Sequence, residues 1–375
     1  MKDKLILPTM TVILVALFAQ NGTELFTPGW AGLMIGTAGV AYALHAKKIM
    51  PKHDAYALVA IAVTLTVSFT FYVGPAILVA SSAPTVLDDN WYNALNWIRN
   101  NTAECATIAT YWDPGHFIRA IGHRTVVFDG GSQNHLLKVE DDSNKTGLVS
   151  VPYDNGITRV IDYADGARET ARIQDIAASM MTANESLAVQ ILNDYRKPGC
   201  NETYFLASSD LIGKSVWWTY FATWSPEKKG TCTAAGITDP KGDCYQYSML
   251  GLSGATPNGQ SILYSYAAGA NQAFIINYDT ETGNMKAFFS ENNNLHPVQS
   301  VFYFSKDGSG TMSNANSAEI SGMLWVEPDR QTIIYMPVQL SDAIFTRLFF
   351  FNGAGLQHFE FVEQWGGEVK LFRVK

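Results

Sequence analysis

The first 82 residues of this 375-residue chain are mostly apolar, and this constrains the possible folds more than any other feature. Three apolar runs, Leu5–Gln20, Trp30–Ala46 and Ala55–Ser82, approach or exceed the length of about 20 residues that a helix needs to cross a bilayer. Lysines precede the first run and separate the second from the third, which predicts that both points are cytoplasmic. The sequence therefore predicts three transmembrane helices in residues 1–82 and an extracytoplasmic location for the rest. Buried core helices of a soluble protein are the alternative.

The charge balance restricts the partners of the protein. Lysine and arginine number 26, aspartate and glutamate number 34, and the formal net charge is −8. A protein that binds nucleic acid needs a basic surface to neutralise phosphates, and the sequence contains no basic stripe. The composition therefore argues against nucleic acid as a partner.

Hydrophobic patterns divide the remaining chain in two. In residues 83–250, amphipathic helical stretches alternate with short β-prone runs, which predicts an α/β domain with a partly parallel sheet. In residues 251–375, β-prone runs follow one another with Asp-Gly and Thr-Gly turns between them, which indicates a β-rich domain. The predicted fold class is a membrane α-helical segment with three spans, then an external α/β domain, then a β-rich carboxy-terminal domain.

The stretch Tyr111-Trp112-Asp113-Pro114-Gly115 is the strongest candidate for a binding site. It follows the apolar run Ala106–Thr110, so we expect it at the end of a buried strand, where side chains are rigidly held yet exposed. The carboxylate can accept a hydrogen bond from a small hydroxyl group, the indole can donate one, and the rings can exclude water. A core tryptophan beside a turn aspartate is the structural alternative.

Residues 88–134 around this stretch resemble a known family. They contain, in order, a W-x-x-A-L-x-W helix, Asn-Thr, an A-T-I-A strand, the motif and a G-x-R-T-V-V-x-D strand. This order is similar to the region around the WWDYG signature of the STT3/AglB/PglB oligosaccharyltransferases, from which Tyr111 and Pro114 depart. The resemblance implies the last membrane spans and the external domain of an archaeal AglB-like enzyme. Such enzymes transfer an oligosaccharide from a lipid carrier to the asparagine of an Asn-X-Ser/Thr sequon.

A second stretch, residues 208–218, follows the β-prone run Thr203–Ala207. In the family, a DK-type or MI-type motif on a kinked helix follows the corresponding strand and completes the hydroxyl pocket. Asp210 and Lys214 resemble the Asp and Lys of the DK type, although three residues rather than two separate them. The alternative is structural, with Asp210 as a helix cap and Lys214 as its solvated partner. Three apolar residues are candidates to contact a threonine methyl group: Ile212, Val216 and Trp218.

An external location gives the four cysteines and the sequons a meaning. Cys105 and Cys200 each precede a β-prone run, and their positions are adjacent if the two strands are parallel neighbours. We therefore predict the disulfides Cys105–Cys200 and Cys232–Cys244. A zinc site is the alternative, but the spacings lack a C-x-x-C pair. Five sequons are candidate glycosylation sites: Asn21, Asn100, Asn144, Asn184 and Asn201.

Other polar residues near the motif carry weaker signals. The histidines His116, His123 and His135 surround it, but their spacing does not indicate a metal site, and ordinary core or surface roles are favoured over a pocket role for His116. The acidic pairs Asp88-Asp89 and Asp141-Asp142 lie in polar surroundings that favour solvated turns over a divalent-ion site. No metal ligand is therefore predicted in this chain.

The resemblance also implies components that these residues do not supply. Family enzymes place carboxylates and Mn²⁺ or Mg²⁺ around the acceptor amide and the sugar phosphate. Those carboxylates lie in loops upstream of the last spans, and nothing in this sequence resembles them. We therefore expect the catalytic residues and the metal ligands outside this chain.

The expected function is recognition of the Asn-X-Ser/Thr acceptor in a glycosyltransferase of the dolichyl-phosphooligosaccharide–protein type. The expected partners are a sequon-containing polypeptide, a lipid-linked oligosaccharide, the membrane and an N-terminal partner chain that supplies further spans. One alternative is a non-catalytic, membrane-anchored subunit that binds acceptor chains or a partner. Another is a surface-attached structural protein with a β-rich ectodomain, which accounts for the anchor but not for the motif region.

Overall fold

The chain divides into two compact units, Met1–Val86 and Leu87–Lys375. The computed structural model describes residues 28–68, 87–132, 136–138, 148–162, 169–234, 236–292 and 294–375. The predicted domain boundary at residue 250 falls inside the second unit and remains a prediction.

The first unit, where it is described, consists of the helices α1 (Pro28–Ala46) and α2 (Lys52–Ser68), which pack against each other. Among the described residues of the whole chain, no helix combines the length and the apolar character that a membrane crossing requires. Glycine, threonine and histidine interrupt the apolar residues of α1, and the described part of α2 begins with the polar residues Lys52, His53 and Asp54. The prediction of three transmembrane helices is therefore wrong. The first predicted span, Leu5–Gln20, and residues 69–82 of the third lie outside the described residues.

The second unit contains both helices and strands. Its described helices are α3 (Asp89–Asn101), α4 (Gly115–Ala120), α5 (Arg172–Met181), α6 (Glu185–Asn193), α7 (Asp210–Gly213), α8 (Ser215–Thr223), α9 (Val338–Ser341) and α10 (Ile344–Phe351). Its first described strands are β1 (Thr107–Ala109), β2 (Thr125–Val126), β3 (Leu136–Lys138), β4 (Leu148–Pro152), β5 (Thr158–Asp162), β6 (Glu169–Ala171) and β7 (Thr203–Ser208). The later ones are β8 (Ser248–Asn258), β9 (Ser261–Gly269), β10 (Gln272–Asp279), β11 (Met285–Glu291), β12 (Asn294–Phe304), β13 (Gly310–Asn314), β14 (Ile320–Val326), β15 (Thr332–Met336), β16 (Phe359–Trp365) and β17 (Val369–Val374).

A five-stranded sheet with the order β16-β17-β7-β1-β2 forms the centre of this unit. Strand β1 pairs in parallel with both β2 and β7, with Thr107 opposite Thr203 in the second pair. Every residue of β7 is buried, as expected for a strand covered on both faces. Strand β17 pairs antiparallel with β7. The predicted α/β character and the partly parallel sheet are confirmed, and a separate antiparallel sheet with the order β3-β6-β5-β4 accompanies them.

The β-rich prediction is also confirmed. Strands β8 to β15 form one sheet with the order β11-β10-β9-β8-β15-β14-β12-β13, and an additional pairing of β11 with β12 closes it into a barrel. Alternate residues of these strands point inward, so that aromatic and branched side chains such as Tyr266, Ile276 and Leu324 fill the interior. The barrel also shares a hydrophobic core with the α/β part, because Met323 and Ile334 pack in the same cluster as Phe205.

Two disulfides are present in the structure, in the pairing that the sequence predicts. Cys105 is bonded to Cys200 with a Cα–Cα distance of 5.8 Å, and Cys232 is bonded to Cys244 with a Cα–Cα distance of 4.8 Å. The first bond lies at the amino-terminal ends of the parallel strands β1 and β7. It therefore holds together the two strands whose opposite ends carry the two motifs.

A turn at Asp129 locks the end of β2 against α4. The buried carboxylate of Asp129 accepts hydrogen bonds from the backbone N–H groups of Gly131 and Ser132, from the Ser132 hydroxyl and from Arg119 Nη1 at 2.7 Å. Gly115 packs against the same turn, since a Cβ at Gly115 would lie only 2.7 Å from the carbonyl oxygen of Phe128. This close approach explains why glycine stands at the start of α4.

Removal of the disulfide that bridges the parallel strands should destabilise the protein more than removal of the second one. Cys105 and Cys200 are 95 residues apart, and Cys232 and Cys244 are 12 apart. The loop entropy of the unfolded chain predicts losses of about 4.7 and about 3 kcal/mol in the free energy of unfolding. Urea unfolding of the double alanine variants measures both losses. Equal losses, or a larger loss for the second pair, would contradict the expectation.

The Asp129 turn should make the stability of the protein depend on pH in acid. Burial raises the pKa of Asp129, but hydrogen bonds from Ser132 and Arg119 and the charge of Arg119 outweigh it and lower the pKa from 3.8 to about 2. A carboxyl with a depressed pKa contributes stability above its unfolded pKa and loses it as the pH falls through the folded value. We therefore expect Asp129→Asn to lower the free energy of unfolding by about 2 kcal/mol at pH 7.

The test is urea unfolding of the wild type and of Asp129→Asn between pH 7 and pH 2. The difference between the two proteins should shrink over the window from about pH 4 to about pH 2. Asp239→Asn is the matched control, because 78% of the Asp239 side chain is exposed. A difference that stays constant down to pH 2 would show that the Asp129 carboxylate does not carry this stability.

Candidate functional site

Both motifs converge at one edge of the central sheet. Parallel strands end at the same edge, and the loops that follow them meet there. Asp113 follows β1, the turn at Asp129 follows β2, and the segment from Ser209 to Lys214 follows β7. The register of three parallel strands therefore brings together residues that are about a hundred positions apart in the sequence.

Lys214 is the centre of this arrangement. Its Nζ lies 2.5 Å from Oδ2 of Asp113 and 2.7 Å from Oδ2 of Asp210. The Asp210 contact is a directed hydrogen bond, and the Asp113 contact is an ion pair to an otherwise buried oxygen. About a third of each of the three side chains is exposed (35% for Lys214, 33% for Asp113 and 35% for Asp210). The group is therefore both preorganised and accessible.

The electrostatics keep the ammonium group charged. Burial lowers the pKa of Lys214, but the hydrogen bonds and the charges of Asp113 and Asp210 outweigh this effect and raise the pKa above its usual value of 10.5. A charged lysine at this position neutralises part of the negative charge of the two carboxylates. One carboxylate oxygen, Oδ1 of Asp113, has no hydrogen-bond donor among the described residues.

Local structure explains why Lys214 reaches both acids. The short helix α7 ends at Gly213, and Lys214 is the residue between α7 and α8, with φ −94° and ψ 5°. The spacing of four between Asp210 and Lys214 puts both side chains on the same face of the turn. Asp210 is itself held by the Ser208 hydroxyl, which donates to Oδ1 at 2.5 Å. The chain therefore bends at Lys214, between α7 and α8.

The other motif residues divide between the core and the site. Tyr111 is only 1% exposed and packs edge-on against Phe128, so it belongs to the core rather than to an open pocket. Trp112 is half-buried against the main hydrophobic cluster. Pro114 is buried and precedes α4. Asp113 and Trp112 are thus the motif side chains that remain available to a ligand.

Burial also distinguishes the three apolar residues of the second stretch that are candidates to contact a threonine methyl group. Ile212 and Trp218 are 5% and 0% exposed, and the indole of Trp218 donates to the carbonyl oxygen of Leu211 while its ring packs against Phe345. Val216 is half-buried and is the one of the three that retains accessible surface. The exposed ring of Trp217 stands next to it.

The other polar residues that the sequence singled out have their contacts outside the Asp113–Lys214–Asp210 group. His116 is exposed, with Nδ1 at 4.0 Å from Oδ2 of Asp129, and Asp88 caps α3 by accepting a hydrogen bond from the N–H group of Trp91. No group of three His, Cys, Asp or Glu side chains in the described part of the chain is arranged to hold a metal ion. His123 has a left-handed backbone with φ 52°. His135 and the pair Asp141-Asp142 lie outside the described residues.

Three of the five predicted glycosylation sites are described, and all three asparagines are exposed. These are Asn100 in α3, Asn184, which caps α6, and Asn201, which precedes β7. Asn21 and Asn144 lie outside the described residues. Whether any of these sites carries a glycan remains a prediction.

Sequence reasoning missed the residues that support the site from behind. Ser208 orients Asp210, and Asp129 with Arg119 holds the adjacent turn. The signals for both were present, as a Ser-Ser-Asp run after one strand and an Asp-Gly-Gly-Ser run after another. A polar residue at the carboxyl end of a predicted parallel strand can be recognised as one that orients a site residue once the strand that pairs with it is known.

Comparison with known proteins extends the resemblance beyond the motif. No family model matches the chain. A dolichyl-phosphooligosaccharide-protein glycotransferase of Methanocaldococcus jannaschii is 22% identical over 320 residues, which cover 77% of this chain and 33% of that protein. A protein of the same name from Methanococcus voltae is 21% identical over 330 residues, which cover 73% of this chain and 35% of that protein. The structure of the carboxy-terminal domain of C. jejuni PglB has a TM-score of 0.40 and 13% identity, and covers 76% of this chain and 100% of that domain.

The chain spans about a third of the length of the archaeal relatives that it matches. The matched residues cover about three quarters of this chain, far more than the motif region from which the resemblance was first inferred. The predicted resemblance is therefore confirmed: the chain is similar to archaeal dolichyl-phosphooligosaccharide-protein glycotransferases over about three quarters of its length.

Proposed function

We propose that this chain is the acceptor-recognising part of an oligosaccharyltransferase, and that it binds the Ser or Thr hydroxyl of an Asn-X-Ser/Thr sequon. The complete activity is the transfer of an oligosaccharide from a lipid carrier to the sequon asparagine. The observation that carries the proposal is the convergence of Asp113 and Lys214, from two distant stretches, at 2.5 Å. The archaeal relatives that are named glycotransferases support the same conclusion.

Asp113 can accept the hydroxyl hydrogen bond in this arrangement. Lys214 occupies Oδ2, which leaves Oδ1 without a hydrogen-bond donor among the described residues, and a third of the side chain is exposed. The neighbouring ammonium of Lys214 pairs with this carboxylate, and a hydrogen bond to a charged acceptor is stronger than one between neutral groups. Lys214 therefore acts as a positioning residue that holds Asp113 in place.

Trp112 completes the polar part of the pocket. Its indole N–H has no acceptor in the described residues, and its ring packs on the hydrophobic cluster beneath the sheet edge. An indole held in this way can donate to the oxygen of the bound hydroxyl while its ring excludes water. Val216, at the start of α8, supplies accessible apolar surface for the methyl group of a threonine.

The environment and the further partners follow from the same proposal. Two disulfides favour an oxidising, extracytoplasmic compartment for the second unit. A lipid-linked oligosaccharide is the donor. The described side chains do not fit the Mn²⁺ or Mg²⁺ of such a reaction, since Asp113 and Asp210 both face Lys214 and no third ligand accompanies them. We therefore assign no step through a metal to these residues.

Loss of the Asp113 carboxylate should weaken acceptor binding. We expect Asp113→Ala to reduce the affinity for an Asn-X-Thr peptide by about 1.5–3 kcal/mol, the contribution of a hydrogen bond to a charged group. Fluorescence anisotropy with a labelled peptide and the full chain measures the effect. Asp243→Ala is the matched control, because Asp243 also pairs with a lysine, Lys228, but outside this site. Equal losses in both variants would contradict a specific role for Asp113.

The acceptor hydroxyl should be the partner of that carboxylate. An Asn-X-Ala peptide should bind the wild type more weakly than Asn-X-Thr by about the same 1.5–3 kcal/mol. Asp113→Ala should bind the two peptides equally, because the carboxylate that accepts the hydrogen bond from the threonine hydroxyl is then absent. Additive effects of the two changes would mean that Asp113 does not bind the hydroxyl.

A further inference from the structure

A polar cavity lies between the barrel and the two short helices α9 and α10, away from the edge of the central sheet. Its volume is about 540 Å³, within the range of small-molecule sites. Strands β12 and β13 supply Ser300, Phe302 and Asn314, and the helical side supplies Asp342 and Arg347. No residue of the Asp113–Lys214 site lines it, so the inference drawn from it does not depend on the proposed function.

Arg347 is the unusual residue of this cavity. It is half-buried in the middle of α10, yet no hydrogen bond or salt bridge of its guanidinium is found in the described part of the chain. Its Nη2 lies beside the Gly353–Leu356 turn, 3.5 Å from where a Cβ of Gly355 would be. A guanidinium offers five donors in a planar fork that matches a carboxylate, and partly buried arginines are usually paired. An unpaired fork that faces a cavity is suited to bind a planar anion.

The remaining lining favours a ligand with hydroxyl groups. The Ser300 hydroxyl donates to Oδ1 of Asn314 at 2.8 Å, which fixes the amide and leaves its NH₂ group free to donate. The exposed Asp342 has no ion-pair partner within 4.0 Å among the described residues and can accept hydrogen bonds. Sugar hydroxyls both donate and accept, so a wall that alternates amide donors and carboxylate acceptors suits them.

An aromatic floor completes the cavity. Phe302 packs edge-on against Phe351 with ring centroids 4.9 Å apart, and both rings line the cavity. Gly310 packs so closely on Phe302 that a Cβ there would lie 2.6 Å from the ring. A fixed apolar ring can support the apolar C–H face of a sugar. The small residue behind the ring keeps it in position.

We propose that this cavity binds a saccharide that carries a carboxylate, with Arg347 on the carboxylate and the Asn314 and Asp342 side chains on the hydroxyls. A carboxylate is favoured over a phosphate because Arg347 is the one cation among the lining residues and Asp342 would repel a dianion more strongly. The positive charge of Arg347 and the planar geometry of its guanidinium thus select the acidic sugar.

The test is isothermal titration calorimetry of the full chain with D-glucuronate and D-glucose, which differ only in a carboxylate at C6. Glucuronate should bind about 10- to 100-fold more tightly, the factor expected for a hydrogen-bonded charge pair. Its affinity should fall with rising salt concentration. Equal binding of the two sugars, no binding of either, or tighter binding of glucose 6-phosphate or of acetate would overturn the proposal.

Two variants locate the binding. Arg347→Gln should remove the preference for glucuronate, and Arg347→Lys should restore only part of it, because an ammonium keeps the charge without the planar fork. Because the guanidinium of Arg347 makes no hydrogen bond or salt bridge in the described part of the chain, both variants should unfold near the wild-type urea concentration. Arg373→Gln, at an exposed position on β17, is the matched control. Unchanged affinities in Arg347→Gln would place the binding elsewhere and sink the proposal.

Discussion

The parallel pairing of β1 with β7 is the constraint on which the rest of the second unit depends. Its register sets Thr107 opposite Thr203, and it is clamped at its amino-terminal ends by the Cys105–Cys200 bond. Parallel strands deliver their following loops to one edge, so the motif after β1 and the segment after β7 must meet. The ion pair between Asp113 and Lys214 is a consequence of this register. A slip by one residue would turn every side chain of either strand to the opposite face.

The hydrophobic core transmits this constraint to the site. Trp218 is fully buried between Tyr247 and Phe345, and its indole N–H is bonded to the carbonyl oxygen of Leu211. The short helices α7 and α8 are therefore anchored from behind, while Lys214 between them faces the sheet edge. Close packing of this kind leaves little freedom to the polar group above it. The site gains its preorganisation from aromatic residues that never touch a ligand.

Several features of the fold and the site could be predicted from local pattern. Asp-Pro-Gly after an apolar run correctly marked a strand end, and the resemblance around it correctly indicated the family.

Other features could not be predicted from the sequence, because they depend on tertiary contacts. Tyr111 occupies a motif position, yet its burial against Phe128 is decided by a strand that comes later in the chain. Arg347 reads as an ordinary surface arginine, and only the packing of α10 beside the barrel reveals its unpaired guanidinium. The transmembrane prediction failed because apolar content alone does not show how far glycine and polar residues dilute a helix, as they do in α1.

The pairing of β17 with β7 has a consequence for biosynthesis. Val369 lies opposite Ser208, so the two strands are separated by roughly 160 residues of chain, including the entire barrel. During translation β7 can pair with β1, but its other side stays an open, unpaired edge until residues 369–374 have emerged from the ribosome. Such an edge can recruit a strand from another nascent chain. The order of synthesis therefore leaves this strand exposed to wrong pairing for longer than any strand that pairs with its neighbour in the sequence.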